Sequence, residues 1–444
     1  MTIKVLKYYI FFTVSVIFFS CQAYTDQVYT VDINNPYYKK APIAIPELMP
    51  VSGSAAEEKL AIKIVEELST ILKFTGYFKM VNPDAFLEEP KVTGINKSQL
   101  NFRNWTVTGA ELLVTGNVIE DGGRIVVELQ LFDTFREERL VGKEYRGTTK
   151  SIKEIVRRFG TEIMKKFTGN KGLFKSKIAF ISTGTKNKEV YICDFDGTTP
   201  RRLTNTQSIT LSPAWSSNGK YVAYTSYEAG KPDLYVMERA NGKINVLSSR
   251  KGTNITPAWI PGKDLITASL SFEGDQGIYL LTRNGKIRKR LTGKWSKWGI
   301  DVSPSFSPDG KKMVFVSKRS GTPQLYIQDL KNGRVRRLTY EGKYNTSPSW
   351  SPLGDKIAYS SSVDGSFEIF IVGLDGREPI QLTADAGDNE SPSWAPDGSL
   401  IAFSSTREGF SRIYIMNAFG KEQRRLLFIS GQQTNPKWSA NIIK

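Results

Sequence analysis

Side chains able to move protons, hold metals or attack a carbonyl are scarce here. None of the 444 residues is histidine. That removes the Ser-His-Asp and Cys-His arrangements, the common zinc sites and the usual neutral-pH base. There is no glycine-rich loop set between a strand and a helix to cradle phosphate, and no regular carboxylate ladder of the kind that binds calcium. What remains is acids. Asp301, Asp388 and Glu390 fall near turns, and a carboxylate pair could hydrolyse glycosides. Nothing marks two of them as a desolvated pair, so they are expected to be solvated loop acids. No catalytic residue, cofactor or metal is assigned.

The stretches carrying these acids run straight into a repeated phrase. Ser212-Pro213-Ala214-Trp215 returns as Thr256-Pro257-Ala258-Trp259, Ser303-Pro304-Ser305-Phe306, Ser347-Pro348-Ser349-Trp350, Ser391-Pro392-Ser393-Trp394 and Asn435-Pro436-Lys437-Trp438. The aromatics are spaced by 44, 47, 44, 44 and 44 residues, close to the period of a four-stranded propeller blade. Within each period come a tight-turn pair such as Asp309-Gly310, two β-rich runs, a second turn pair such as Asn332-Gly333, and a short run ending in Arg337-Leu338-Thr339 or a near copy. One aromatic per repeat could be a sugar-stacking row, but at a fixed strand position it reads as packing between neighbouring blades.

The first repeat begins midway, at Lys177 to Ile181, and the last phrase ends at Trp438 with little after it. The two fragments complete one blade. The expected architecture is an all-β six-bladed propeller over 171–444, closed by the C-terminal strand so that no sheet edge is left open at the seam. A further domain of hydrolase size does not follow Trp438, which with the missing histidine argues against a propeller peptidase.

Before the repeats the periodicity changes. Residues 1–23 read as a secretory signal: Lys4 and Lys7, the apolar run Tyr8 to Phe19, then Cys21-Gln22-Ala23. The apolar run is short for a membrane span. Cleavage after Ala23 is expected, the alternative being acylation of Cys21. Either removes Cys21 from disulfide chemistry and leaves Cys193 as a small buried residue. Residues 24–170 read as a small α+β domain with helices on one face of a sheet, giving a mixed fold class overall. Val28 to Ile33 and Pro42 to Pro46 are short β-like runs. Ser54 to Glu57 fits a capping box opening a helix with Leu60, Ile64, Leu68, Ile71 and Leu72 on one face, ended by Gly76. Three antiparallel strands follow (Leu112 to Ile119, Arg124 to Phe132, Leu140 to Tyr145), with Ile125, Val127, Leu129 and Leu131 facing inward. A second capping box, Ser151 to Glu154, opens the last helix.

The signal, the small α+β domain and six such repeats together resemble the TolB family of the Tol-Pal system. The opening Tyr29-Thr30-Val31-Asp32-Ile33, then Asn35-Pro36-Tyr37 and Ile43-Ala44-Ile45-Pro46, is similar to that family's start. The resemblance spans essentially the whole chain. It implies a non-enzymatic periplasmic adaptor, a monomer, whose propeller docks the peptidoglycan-associated lipoprotein Pal and whose mature N-terminus engages TolA, supporting outer-membrane integrity and constriction during division. Other outer-membrane lipoproteins are further candidate partners, the outer membrane being reached through Pal. By place in the repeat, the Pal-facing loops are Thr253, Asn254, Ile255 and Thr256; Asp301, Val302 and Ser303; Tyr344, Asn345, Thr346 and Ser347; and Asn389, Glu390 and Ser391. The TolA segment is Tyr24, Thr25, Asp26, Gln27, Val28, Tyr29 and Thr30.

Two departures stand out. The second phrase runs into Ile260-Pro261-Gly262 without the usual Ser-Pro-Asp-Gly turn, and the longer third period carries Trp295 and Trp298 before Asp301, an anchor pair if exposed and otherwise packed down on the blade top. The formal charge is +17, of which two lysines leave with the signal. An exported basic protein meets few nucleic acids, so none is expected as partner; anionic envelope material, an acidic partner, or charge spread over solvated faces are the readings open. A lectin or glycosidase acting on peptidoglycan is the rival function.

Overall fold

The computed structural model describes residues 39–293 and 299–441. The signal, the Val28 to Ile33 run, the segment from Tyr24 to Thr30 and the Trp295 and Trp298 pair lie outside them.

The first unit is a six-stranded sheet. Ala41–Ala44 pairs in parallel with both Phe78–Met80 and Leu112–Asp121, and Met49–Pro50 also runs parallel to the latter. Leu112–Asp121, Arg124–Asp133 and Glu138–Thr148 form an antiparallel meander. The helices Ala55–Thr75 and Ile152–Thr168 lie side by side over it, burying Ile64, Leu68, Ile71 and Leu72 from one and Ile155, Val156, Phe159, Ile163 and Phe167 from the other. Gly76 closes the first helix at φ 79°, where a side chain would be strained.

Three details depart from the sequence reading. Ser54 Oγ accepts from the Glu57 N–H, but the Glu57 carboxylate accepts from Ser52 N at 2.7 Å and Glu120 N at 2.9 Å, tying the helix start to the sheet. The second capping box sits one turn early, between Thr148 and Ser151, around a 3-10 turn Thr149–Ser151. The helices are not confined to one face. Gln130 and Phe132, on the face expected to meet water, are buried. There Ala44, Leu113 and Phe132 pack with Leu100 and with Phe102 and Trp105 of the short helix Phe102–Val107. A helix of six residues is too short to display a period.

The repeats form six four-stranded sheets. The inner strands are Thr210–Trp215, Asn254–Trp259, Asp301–Phe306, Asn345–Trp350, Asn389–Trp394 and Gln433–Trp438. The last closes the ring by pairing with Lys177–Thr185, Thr434 opposite Ile181 and Trp438 opposite Ile178. Trp438 donates its indole N–H to Ser176 Oγ at 2.7 Å, and Ser439 Oγ accepts from Lys177 N at 2.9 Å, so the seam is locked by side chains as well as backbone.

The Arg-Leu-Thr ending also has a structural explanation. Thr383 Oγ1 accepts from Ile369 N at 2.8 Å and donates to the buried Glu368 carboxylate at 2.5 Å. Thr204 does the same for Val190 and Glu189, and Thr339 for Leu325 and Gln324. The basic residue turns back on the same segment: Arg337 Nε donates to Thr339 O and Arg425 Nε to Leu427 O. In the last blade Arg412 takes the place of the acid or amide, and Leu427 takes the place of threonine.

Candidate docking mouth and channel of the propeller

Each inner strand begins with a polar residue that is fully buried: Thr210, Asn254, Asp301, Asn345, Asn389 and Gln433. These residues fasten the loop ends at one mouth of the ring. Asn254 Nδ2 donates to Arg250 O at 2.8 Å, Asn345 Nδ2 to Gln324 Oε1 at 2.8 Å, and Asn389 Nδ2 to Glu368 Oε2 at 2.9 Å. Asp301 accepts from Arg319 Nη2 at 3.2 and 3.3 Å, and that guanidinium stacks over Phe315 and Tyr326. Of the four sequence-predicted loops, then, Asn254, Asp301, Asn345 and Asn389 are turned inward, and Ser391 is buried as well. Thr253, Ile255, Thr256, Val302, Ser303, Thr346, Ser347 and Glu390 are half-buried, and Tyr344 is 43% exposed with its ring edge-on to Phe367 at 5.7 Å.

The candidate acids separate in the same way. Asp301 is committed to Arg319. Asp388 accepts from Phe367 N at 3.0 Å. Glu390 is half-buried, and burial first, with the Asp388 charge second, pushes its carboxyl above the ordinary range. The inner-strand tryptophans are buried, so they offer no open face for a sugar. Among the described residues no cluster of acids, cysteines or histidines could hold a metal.

Behind this mouth, each inner strand carries a bulge. Ser212, Thr256, Ser303, Ser347, Ser391 and Asn435, each just before the proline, adopt φ between 47° and 57°. Non-glycine residues reach this region only when their surroundings hold them there. Some of those constraints come from the neighbouring blade: Ser360 Oγ accepts from Ser391 N at 3.0 Å and Ser404 Oγ from Asn435 N at 3.1 Å. Past the bulge the strands enclose a central channel of about 440 Å³ lined by Ser-Pro-x-Trp segments. The repeat made the ring legible; the bulge, and which residues of the phrase face the channel, had no sequence signal beyond the recurring proline.

Residues 164–442 match the TolB beta propeller domain family and residues 29–140 the TolB amino-terminal domain family. The chain belongs to the TolB family. It is 51% identical to the Tol-Pal system protein TolB of Desulfosudis oleivorans over 60% of each chain. It is 41% identical to the TolB homolog of Chlorobium luteolum over 65% of this chain and 64% of that one. The matched stretches thus span about 60% of these relatives' length. The crystal structure of TolB from Acinetobacter baumannii superposes with a TM-score of 0.78 at 25% identity, covering 91% of this chain and 97% of that chain. Agreement over both units, in that order, fits a TolB arrangement rather than an isolated propeller. Among the described residues no helix is long and apolar enough to cross a membrane.

Proposed function

We propose that the protein is a non-enzymatic periplasmic adaptor of the Tol-Pal system, exported by a signal at 1–23, that binds Pal at the propeller mouth and TolA through residues 24–30. The proposed division is an adaptor domain over 24–170 and a docking propeller over 171–444. The observation that carries the reading is the pairing of roles at the mouth. Asn254, Asp301, Asn345 and Asn389 rigidify the strand starts from within. Their neighbours Ile255, Val302 and Thr346 are half-buried and Tyr344 is exposed, Val302 resting in part on the blade core. A rigid rim with a few apolar or aromatic anchors is what protein docking uses.

Calorimetric titration of residues 24–444 with the soluble domain of Pal tests this. Tyr344→Ala and Val302→Ala are expected to weaken binding about tenfold or more with the fold intact, since central aromatic and apolar anchors carry most of an interface's affinity. No heat at high concentration would overturn the Pal assignment. Deleting residues 24–30 should abolish capture of TolA and leave the Pal titration unchanged.

The raised carboxyl of Glu390 beside Asp388 supports a second reading, a glycosidase acting on peptidoglycan. Turnover of purified sacculi that disappears in Glu390→Gln and Asp388→Asn would favour it over the adaptor.

A further inference from the structure

The channel lining is serine, proline, alanine, tryptophan, threonine, phenylalanine and asparagine, with one charged residue among those described: Lys437. It stands immediately before the inner-strand aromatic. The other five blades have Ala214, Ala258, Ser305, Ser349 and Ser393 in that place, all likewise lining the channel. Five blades build the same bulge and seat an aromatic, Trp in four and Phe306 in one, without a lysine, so the fold does not require one. Among the described residues no carboxylate pairs with its ammonium; its main chain is held in the closing strand opposite Ala179, and its carbonyl oxygen accepts from Trp215 Nε1 at 2.9 Å. Glu390, the acid on the adjacent inner strand, and Lys177, on the strand paired with that of Lys437, lie outside the lining. Lys177 is itself paired with Asp194.

We propose that the channel is a site for one small carboxylate, held by the Lys437 ammonium and the hydroxyls of Ser305, Ser349 and Ser393. The hydroxyl oxygens of Ser305 and Ser393 already accept from Trp350 N at 3.1 Å and Trp438 N at 2.9 Å, which leaves each O–H unspent as a donor. One cation with neutral donors matches a monoanion. A doubly charged phosphate would call for a guanidinium fork or a nest of backbone N–H groups. The space, about 440 Å³, accommodates a small carboxylate with part of its water. The channel wall half-buries Lys437 and disfavours the bare ammonium; burial lowers its pKa to about 8, so an anion beside it would relieve that cost.

The test is thermal unfolding of residues 24–444 in sodium acetate against sodium chloride at equal ionic strength, pH 7. Acetate should raise the midpoint, with half-effect on the order of 1–10 mM, as one ion pair with a few hydrogen bonds in a wet channel allows. Lys437→Ser installs the residue of three sister blades and so should fold; in it the acetate effect should fall at least fivefold. Lys437→Arg keeps the charge and should keep the effect. In the parent protein the effect should fade between pH 7 and pH 9.5 as the ammonium loses its proton. An acetate response equal in Lys437→Ser and the parent, or no response in the parent up to about 100 mM, which is ten times the weakest half-effect expected, would overturn the proposal.

Discussion

The propeller and the amino-terminal unit are held together by the same forces but differ in what can be compared within them. Each blade position has five counterparts in the same chain, so a residue that recurs reports what the blade needs, and one that breaks the pattern without a compensating change nearby is not explained by the blade. Thr204, Thr339 and Thr383 are of the first kind, bridging strand N–H groups and buried acids or amides. Lys437 is of the second. The amino-terminal sheet is built once, from parallel pairings between Ala41–Ala44 and strands distant in sequence, and it contains no internal control.

The largest expected effect falls on the ring as a whole. Removing residues 433–444 deletes the strand that pairs with Lys177–Thr185, and with it the Trp438 and Ser439 locks. Calorimetry should then show no cooperative propeller transition, a loss on the order of the 5–15 kcal/mol that a domain has in total. A surviving transition would mean that the blades stand without closure. Next is Trp105→Ala in the amino-terminal unit, where a fully buried ring packs edge-on against Phe86 at 5.1 Å. The cost should be about 3–5 kcal/mol in urea unfolding. If it moves the propeller transition as well, the two units are not separate in stability.

How much of this was legible follows the same division. Blade count, strand order and the seam could be read because Pro-x-Trp and the turn pairs recur at fixed distance. The Pal-facing loops were placed by repeat position alone, and position could not tell Asp301, buried on Arg319, from Val302 beside it: both stand in regular register ahead of the bulge, and what holds Asp301 inward is a partner distant in sequence. In the amino-terminal unit the long helices and the meander showed their periods. The cover over Phe132 did not, because it is made by a six-residue helix and the irregular chain before it. Lys437 was visible in the repeat from the start, but reading it as an exception required knowing that this position faces a channel.

A smaller effect tests whether recurrence means structural need. Thr383→Val leaves the Ile369 N–H without its buried partner and takes one of two donors from the Glu368 carboxylate, Asn389 being the other. The expected cost is about 1–3 kcal/mol by denaturant unfolding, typical of unsatisfied buried groups. The converse change, Leu427→Thr, should bring no gain. There Arg412 replaces the acid, and a buried hydroxyl at residue 427 would lose apolar packing without an acid or amide acceptor at that place.

The smallest effect is the one that separates exception from need. Burial holds the Lys437 pKa near 8, whereas a lysine in the unfolded chain titrates near 10.4. Between these values the unfolded chain binds more protons than the folded one, so this residue makes stability rise with pH across that window. Below pH 8 the folded state carries the full penalty of keeping an ammonium in the channel. Lys437→Ser should therefore be more stable than the parent at pH 7, by about 1 kcal/mol once the water in the channel is allowed for. The advantage should shrink through pH 8–10 and be gone near 10.5, as urea midpoints at a series of pH values would report. Acetate should narrow the difference at pH 7 by stabilising the parent alone. A difference that ignores pH would place the ammonium in bulk-like solvent, and the channel would then have no unpaid charge for an anion to answer.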